Sequence, residues 1–335
     1  MRSAIARFLE GVWYRGARFG FLLVPLSWIY SLLLSLRRRR ARAHRQALPV
    51  PVIVVGNVTV GGTGKTPVVI WLVEQLCARG YSPGIVTRGY LGSATSEPLR
   101  VAADTSPQRA GDEAVLLAQR LQCPVTACTD RVAGVRHLLA DAAIDVVVSD
   151  DGLQHFELQA DCVIVVVDGH RGLGNARLLP AGPLRESARR LDSAELVLVN
   201  GDGWSRARAT RFDLQATIVR QLSDGAQRTL DDFHGRSVHA VAAIGNPERF
   251  FAMLRRAGCS VDAHAAADHA VIPVEALQFA DDAPVLITEK DAVKCGSGVP
   301  AGIWSVAVEV RFPPTVAAQV MEKVTQRIAD VPAQR

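Results

Sequence analysis

The sequence predicts an α/β fold with a mostly parallel sheet and flanking helices, and two patterns carry this prediction. Several short segments are continuous runs of Val and Ile, which is typical of strands buried on both faces of a parallel sheet. Segments with helical periodicity separate these runs along the 335-residue chain. The candidate strands are residues 50–55, 84–87, 124–127, 144–149, 162–167 and 196–200, and the candidate helices are residues 67–79, 112–121 and 131–140.

A glycine-rich turn joins the first candidate strand to the first candidate helix, and residues 59–66 read T-V-G-G-T-G-K-T. In such a turn the backbone N–H groups attract phosphate oxygens, Lys65 reaches the β- and γ-phosphates, and Thr66 ligates Mg²⁺. The usual pattern begins with glycine where this chain has Thr59, and a turn that binds nothing is the alternative. The surrounding strand and helix favour a P-loop NTPase-like fold that binds ATP or GTP through Thr59, Val60, Gly61, Gly62, Thr63, Gly64, Lys65 and Thr66.

Two adjacent aspartates follow the candidate strand 144–149. Carboxylates at the carboxyl end of a strand beside a phosphate loop are typical of a Mg²⁺ site. A plain Asp-Gly turn is the alternative, but two neighbouring acids repel each other unless a cation is bound. We therefore expect Asp150 and Asp151 to act as metal ligands or as a base. His155 follows, and it is equally consistent with orienting a carboxylate or phosphate and with a structural role.

The rest of the chain predicts a second, smaller lobe. The regular alternation stops in the charged, Gly- and Asp-rich residues 201–235, and a new β-α pattern begins near Val238. It continues with a candidate helix 247–257, candidate strands 285–288 and 304–310, and a last helix 314–328. We therefore divide the chain into an N-terminal segment 1–45, a P-loop domain 46–225 and a C-terminal α/β lobe 226–335 that completes a cleft for nucleotide and acceptor.

The positive charge of the chain is confined to its N-terminal segment. The whole chain carries +5, and residues 1–45 carry ten arginines and one glutamate, which give +9 and leave −4 for the rest. A nucleic-acid partner is therefore not expected. Between the arginines, the 18 residues 19–36 carry no charge and include seven Leu, two Phe and one Trp. This pattern indicates an association with a membrane.

Three interpretations of residues 19–36 remain open. An interfacial helix fits best, with apolar groups in the acyl boundary and arginines on anionic headgroups. A single span is the second, although 18 residues are close to the lower limit and arginines flank both ends. A core helix of a soluble protein is the third. The first interpretation predicts a peripheral protein on the cytoplasmic face of a membrane.

The six cysteines give no sign of a disulfide framework, and no zinc site is expected. Cys77, Cys123, Cys128, Cys162, Cys259 and Cys295 are scattered through the chain without a CxxC pair. They are expected to be reduced and buried, as small apolar residues are. A reducing cytoplasmic environment agrees with this expectation.

Several motifs together resemble one family along nearly the whole chain. They are the phosphate loop, T-R-G-Y at residues 87–90, G-D-E-A at 111–114, D-D-G-L-Q-H at 150–155, L-P-A-G-P-L-R-E at 179–186 and T-E-K-D-A-V-K at 288–294. In this order they resemble the tetraacyldisaccharide 4'-kinases, which act in lipid A biosynthesis in Gram-negative bacteria. The resemblance implies transfer of the γ-phosphate of ATP, with Mg²⁺, to an acylated disaccharide 1-phosphate at the cytoplasmic leaflet of the inner membrane.

The resemblance also implies roles for individual residues. Asp112, which from spacing alone is a helix N-cap, becomes the carboxylate that activates the acceptor hydroxyl. Glu186 joins Thr66, Asp150 and Asp151 at the metal. His269 crosses from the second lobe to support Asp112, although Ala267 stands where an aromatic residue is expected and His264 is a second candidate. The residues implied as catalytic are Lys65, Asp112, Asp151 and His269.

The acceptor's 1-phosphate has one candidate partner in the body of the chain. Arg88, together with arginines of the N-terminal segment, is a candidate to contact this group, although attraction to lipid headgroups explains any single arginine equally well. Two other functions are weighed. A membrane-bound ATPase or GTPase switch shares the phosphate loop, but residues 288–291 read T-E-K-D and lack the Asn of a guanine-specific motif. A membrane scaffold without activity does not explain the acidic residues.

Overall fold

The computed structural model describes residues 2–15, 18–93, 96–296 and 298–331. Thirteen strands form one hydrogen-bonded sheet in the described residues, and in space their order is β11-β10-β12-β13-β8-β7-β6-β1-β5-β2-β4-β3, with β9 beside β8. In chain order the strands are β1 Val52–Gly56, β2 Pro83–Thr87, β3 Leu99–Val101, β4 Val125–Ala127, β5 Val146–Asp150, β6 Cys162–Asp168, β7 Leu196–Asn200, β8 Ala209–Gln221, β9 Gln227–Thr229, β10 Ser237–Ala242, β11 Ser260–Ala265, β12 Val285–Thr288 and β13 Ile303–Arg311.

The α-helices lie on both faces of this sheet and at the N-terminus. They are α1 Arg2–Tyr14, α2 Val24–Ala43, α3 Lys65–Cys77, α4 Pro107–Ala110, α5 Asp112–Arg120, α6 Arg131–Asp141, α7 Pro247–Arg256, α8 Glu289–Ala292 and α9 Pro314–Ala329. The predicted fold class is confirmed, because most strand pairs are parallel and the strands predicted from Val and Ile runs are fully buried. Every helix and strand predicted in the two lobes is present, with ends that differ by at most two residues. The helix expected over residues 19–36 is α2 Val24–Ala43, which begins five residues later and ends seven residues later than expected.

Strand β8 connects the two halves of the sheet, and sequence patterns did not indicate it. Its first residues pair in parallel with β7, and the residues from Asp213 onward pair antiparallel with β13. The strand lies inside residues 201–235, where the regular pattern stops, because its side chains alternate between partly buried and exposed instead of forming an apolar run. Both lobes therefore share one continuous sheet.

Two apolar cores cover the two faces of the P-loop sheet. Helices α3 and α5 pack on one face, together with the last helix α9, whose Val324 is fully buried in the same cluster as Ile53 of β1. Helix α6 packs on the other face. Helix α9, near the end of the chain, thus packs in the same core as β1. The predicted domain boundary at residue 225 stays a prediction.

The cysteines are free within the described residues, as expected, but they are not uniformly buried. Cys128, Cys162 and Cys259 are buried, whereas Cys77 at the end of α3 is exposed. The expectation of burial was wrong for Cys77 because it lies at the C-terminal end of its helix, beyond the face that packs on the sheet. Burial raises the pKa of Cys123 and Cys162 to about 12, so both thiols stay protonated at neutral pH.

The N-terminal helix α2 packs on the body of the protein by one face only. Residues 20–43 form one helical stretch that is long and apolar enough to cross a membrane by length and composition, and 11% of its apolar window is buried. Ser27 and Ala41 are buried on the inner face. Large apolar side chains cover the outer face and are exposed: Phe21, Leu22, Leu26, Trp28, Ile29, Leu32, Leu33 and Leu36. This exposure argues against a core helix of a soluble protein.

Candidate active site

The phosphate loop runs from β1 into α3, and glycine is required where it enters the helix. Gly64 has a φ of 91°, and a Cβ at this position would lie 2.5 Å from the side-chain nitrogen of Asn200. The same nitrogen donates to the carbonyl oxygen of Thr63 over 3.1 Å, so Asn200 holds the loop from the end of β7. No described side chain caps α3, and its first N–H groups remain available for phosphate oxygens.

Asp151 lies next to this loop and is held by two cations. Its backbone has a positive φ of 48°, just after the end of β5. Arg185 binds both carboxylate oxygens, at 3.0 and 3.1 Å, and the ammonium of Lys65 lies 3.5 Å away. Burial alone would raise the pKa of Asp151, but the charges of Lys65 and Arg185 hold this pKa well below its usual range. Asp151 is therefore an anion that keeps Lys65 at the loop.

Asp150 is the buried member of the pair and suits a cation. It is 1% exposed, and its Oδ1 has no hydrogen-bond partner among the described residues. Burial, together with the charges of Glu113 and Asp151, raises the pKa of Asp150 to about 7. A buried carboxylate oxygen without a donor needs a proton or a cation. The predicted metal ligands, the carboxylates of Asp150 and Asp151 and the hydroxyl of Thr66, offer hard oxygen atoms of the kind that Mg²⁺ prefers.

Asp112 and His269 meet across the two lobes. His269 Nδ1 lies 3.0 Å from Asp112 Oδ2, although 157 residues separate them in the chain. Burial alone would raise the pKa of Asp112, but the hydrogen bond with His269 and the charge of Lys290 hold this pKa below its usual value. Asp112 thus contacts His269, whereas His264 lies on β11 beside His239.

Lys290 contacts the ring nitrogen of His269 that does not face Asp112, and nothing in the sequence indicated a role for this lysine. Its ammonium is 3.4 Å from His269 Nε2 and donates to Glu113 over 2.9 Å. Since an ammonium can only donate, Nε2 is the acceptor in this contact and Nδ1 carries the proton toward Asp112. Burial alone would lower the pKa of Lys290, but Glu113 and Asp112 raise it, so the ammonium remains charged.

A cleft of about 1340 Å³ lies between the phosphate loop and the pair His269 and Lys290, and among the described residues Asp112 and Asp150 do not line it. The phosphate loop, Arg88, Asp151 and Arg185 line it from the P-loop side, and His269 and Lys290 line it from the second lobe. Gly245 lies so close to the phosphate loop that a Cβ at this position would be 3.1 Å from the backbone nitrogen of Gly62. The lobes therefore approach each other closely at the phosphate loop.

Glu186 is placed differently from the other predicted metal ligands. Its fully buried carboxylate pairs with Arg38 of α2 and accepts a hydrogen bond from Gln154 over 2.8 Å. Arg190 lies 3.9 Å away. Through these contacts Glu186 holds helix α2 against the rest of the protein. The assignment of Glu186 as a metal ligand stays a prediction.

His155 lies in a cationic part of the site. Burial and the nearby charges of Arg131 and Arg88 lower the pKa of His155 to about 3, so the imidazole is neutral. Arg131 is itself 1% exposed and donates to the carbonyl oxygens of Cys128 and Asp150. Burial lowers the pKa of Arg131 to about 10. No motif pointed to Arg131, because an arginine at the start of a helix carries no signal that it is buried.

A nucleotide on the phosphate loop would face His269, which contacts Asp112, across the cleft, and this arrangement is that of a P-loop kinase. The particular family follows from the sequence. The profile of the family described as tetraacyldisaccharide-1-P 4'-kinase matches residues 19–325, and the chain belongs to this family.

Similar proteins agree with this assignment. A tetraacyldisaccharide 4'-kinase of Nitrosococcus oceani is 45% identical over 317 residues, which cover 94% of this chain and 93% of that protein. One of Alkalilimnicola ehrlichii is 49% identical over 298 residues, which cover 87% and 88%. The crystal structure of LpxK from Aquifex aeolicus in complex with ATP is 26% identical, covers 92% of this chain and 99% of its own, and superposes with a TM-score of 0.76. The predicted kinase activity and the use of ATP are thereby confirmed.

Proposed function

We propose that this kinase transfers the γ-phosphate of ATP to the 4'-hydroxyl of tetraacyldisaccharide 1-phosphate and so forms lipid IVA. The observation that carries the proposal is the 3.0 Å contact of Asp112 with His269, which lines the same cleft as Lys65. A sugar hydroxyl is a poor nucleophile at neutral pH, so its transfer reaction needs a positioned base. The names of the relatives supply the acceptor.

Residues of the phosphate loop would bind and orient the nucleotide. Free N–H groups of the loop would face the phosphates, except that of Val60, which donates to the carbonyl oxygen of Pro183 over 2.9 Å. Lys65 would leave Asp151 to contact the β- and γ-phosphate oxygens. Asn200 keeps the loop in its binding conformation through Thr63. These contacts place the γ-phosphate in line with the acceptor and balance charge that develops in transfer.

Mg²⁺ would be held by Thr66, Asp150 and Asp151. The unpaired buried oxygen of Asp150 supports this assignment, because a carboxylate in such a position favours a cation. A bound Mg²⁺ supplies neutralisation of phosphate charge. The bidentate contact of Arg185 fixes the orientation of Asp151 beside it.

Asp112 would accept the proton of the 4'-hydroxyl. Its low pKa keeps it ionised at neutral pH, and His269 holds the carboxylate in place through Nδ1–H. Lys290 fixes the tautomer of His269 from the other side. The proton moves from the hydroxyl oxygen to Asp112 while that oxygen bonds to the γ-phosphorus, and the bond from this phosphorus to the β–γ bridging oxygen breaks and releases ADP. Lys290 and His269 stabilise the arrangement without losing protons.

Helix α2 would hold the protein on the cytoplasmic face of the inner membrane, where its acylated substrate lies. The body holds one face of the helix: Ser27 donates to the carbonyl oxygen of Leu178 over 2.9 Å, and Tyr30 donates to that of Arg185 over 2.8 Å. These contacts leave only the opposite apolar face for lipid, which supports the interfacial interpretation over a single span. The mildly acidic body gives no reason to propose a nucleic-acid partner.

The outer face of α2 gives the first test. Replacing Leu26, Ile29 and Leu33 with Ser should abolish most sedimentation with phospholipid vesicles, because each side chain is more than half exposed and stabilises membrane binding by apolar burial. ATP binding should be unchanged. Ile218→Ser, an exposed apolar residue on β8, is the matched control and should bind vesicles as the wild type does. Equal binding by the triple variant would overturn the interfacial assignment.

The kinase proposal is tested against the ATPase alternative by measuring phosphate release from ATP. The purified protein is incubated with ATP and Mg²⁺, with and without detergent-dispersed tetraacyldisaccharide 1-phosphate. We expect ATP consumption to depend on the acceptor and to yield one phosphorylated lipid per ADP. Fast hydrolysis without acceptor, and no phosphorylated lipid, would favour a nucleotide-driven switch.

A further inference from the structure

Two histidines and an aspartate meet at the outer edge of the C-terminal part of the sheet. His239 belongs to β10, and Asp262 and His264 belong to β11, which is the last strand at this end of the sheet. His239 pairs in register with Asp262, and His264 follows two residues later on the same face. None of the three is among the residues that line the nucleotide cleft. The kinase reaction therefore gives no role to this cluster.

The three side chains converge with the spacing of metal ligands. His239 Nδ1 lies 3.3 Å from His264 Nε2, and Asp262 Oδ2 lies 3.2 Å from each of these nitrogens. Zn²⁺ binds such atoms at about 2.0–2.2 Å in tetrahedral geometry, which separates neighbouring ligands by about 3.3–3.5 Å. The three atoms therefore match one face of a zinc tetrahedron almost without movement.

His239 is already oriented as a metal ligand. Its second ring nitrogen, Nε2, lies 2.8 Å from Asp281 Oδ1, and its ring stacks on Phe279 with centroids 3.7 Å apart. A carboxylate that accepts the N–H of a histidine fixes the tautomer and turns the other nitrogen's lone pair toward a metal. In the neutral ring, Nδ1 thus directs its lone pair at the Asp262 oxygen 3.2 Å away. Two facing lone pairs repel each other unless a positive charge lies between them.

We propose that His239, Asp262 and His264 bind one Zn²⁺ ion. Imidazole and carboxylate ligands suit zinc, and three protein ligands leave the fourth position to water. The side chain of Asp262 is 64% exposed and that of His264 is 36% exposed, so the ion has a direct path from solvent. The alternative is a cluster that binds no ion.

The position of the site gives the ion a structural effect. Strand β11 has a neighbour on one side only, and the ion would tie it to β10 through side chains as well as backbone. His269 lies in the segment directly after β11. Its backbone N–H donates to the carbonyl oxygen of Ala243, the residue that follows β10. Binding that favours the folded state raises thermal stability. Zinc should therefore stabilise the lobe that presents His269.

The test uses the full-length protein without a histidine tag, in a phosphine reductant. We expect equilibrium dialysis against ZnCl₂, followed by metal analysis, to find one zinc per wild-type chain. The His264→Ala variant should not bind this zinc. Zinc should also raise the Tm of the wild type by about 2 °C or more and leave that of His264→Ala unchanged. His137→Ala is the matched control, since His137 lies 3.3 Å from Asp141 in a two-residue pair on α6, and it should bind zinc as the wild type does.

A second variant keeps the proposal testable if the His264→Ala protein does not fold. Asp281→Asn keeps all three ligands but removes the carboxylate behind His239, and zinc affinity should fall by about 10- to 100-fold. Equal zinc binding by wild type, His264→Ala and Asp281→Asn would place the metal elsewhere on the chain and overturn the proposal. A wild type that takes up no zinc would likewise overturn the proposal. Both readouts are independent of phosphate transfer, so they stand whether or not the kinase assignment does.

Discussion

Lys65→Ala is expected to lower kcat/KM for phosphate transfer by about 100-fold or more. The substitution removes the charge-assisted contact to the phosphate oxygens at the start of α3, and charge neutralisation is a main contribution to phosphoryl transfer. It also frees Asp151 from a cation 3.5 Å away. Steady-state transfer with ATP and a detergent-dispersed acceptor measures the effect.

Two controls accompany Lys65→Ala. Lys323→Ala on α9 removes an exposed lysine far along the chain from the phosphate loop and should transfer at the wild-type rate. Thermal unfolding of Lys65→Ala shows whether the protein still folds. A folded Lys65→Ala protein with nearly wild-type transfer would contradict the assignment of residues 59–66 to the phosphates.

Asp112→Asn is expected to lower kcat by about 100- to 10,000-fold, the range for the loss of a positioned general base. The affinities for ATP and Mg²⁺ should hardly change, because the proposed role concerns the acceptor proton. Asp151→Asn is the matched comparison, since it neutralises a carboxylate that lies beside Lys65 and should shift the Mg²⁺ dependence. Isothermal titration with Mg²⁺ and a non-hydrolysable ATP analogue separates the two. Equal loss of Mg²⁺ affinity in both variants would refute this division of roles.

The parts of the fold and site that the sequence predicted are those that depend on local pattern. Buried parallel strands appear as Val and Ile runs, and the phosphate loop is a contiguous motif between a strand and a helix. Strand β8 was not found because its side chains alternate in exposure and its partners β7 and β13 are set by the whole sheet. Local sequence carries no information about such pairing.

The cross-lobe contact had to come from a resemblance or from the structure. Spacing alone made Asp112 a helix N-cap, and 157 residues separate it from His269. The choice between His269 and His264 depended on where β11 ends, since His264 belongs to that strand and His269 to the segment after it. Lys290 and Arg131 acquire their contacts only when distant helices pack, so no motif indicated them.

The central claim is that Asp112 and His269 act together on the acceptor, and a double-mutant cycle tests it most directly. Single-turnover transfer rates are measured for wild type, Asp112→Asn, His269→Ala and the double variant, with ATP saturating. If His269 works by positioning Asp112, the double variant should be about as slow as Asp112→Asn alone, because residues that act as a unit are not additive. Rate losses that simply multiply in the double variant would show that the two residues act independently and would contradict the account.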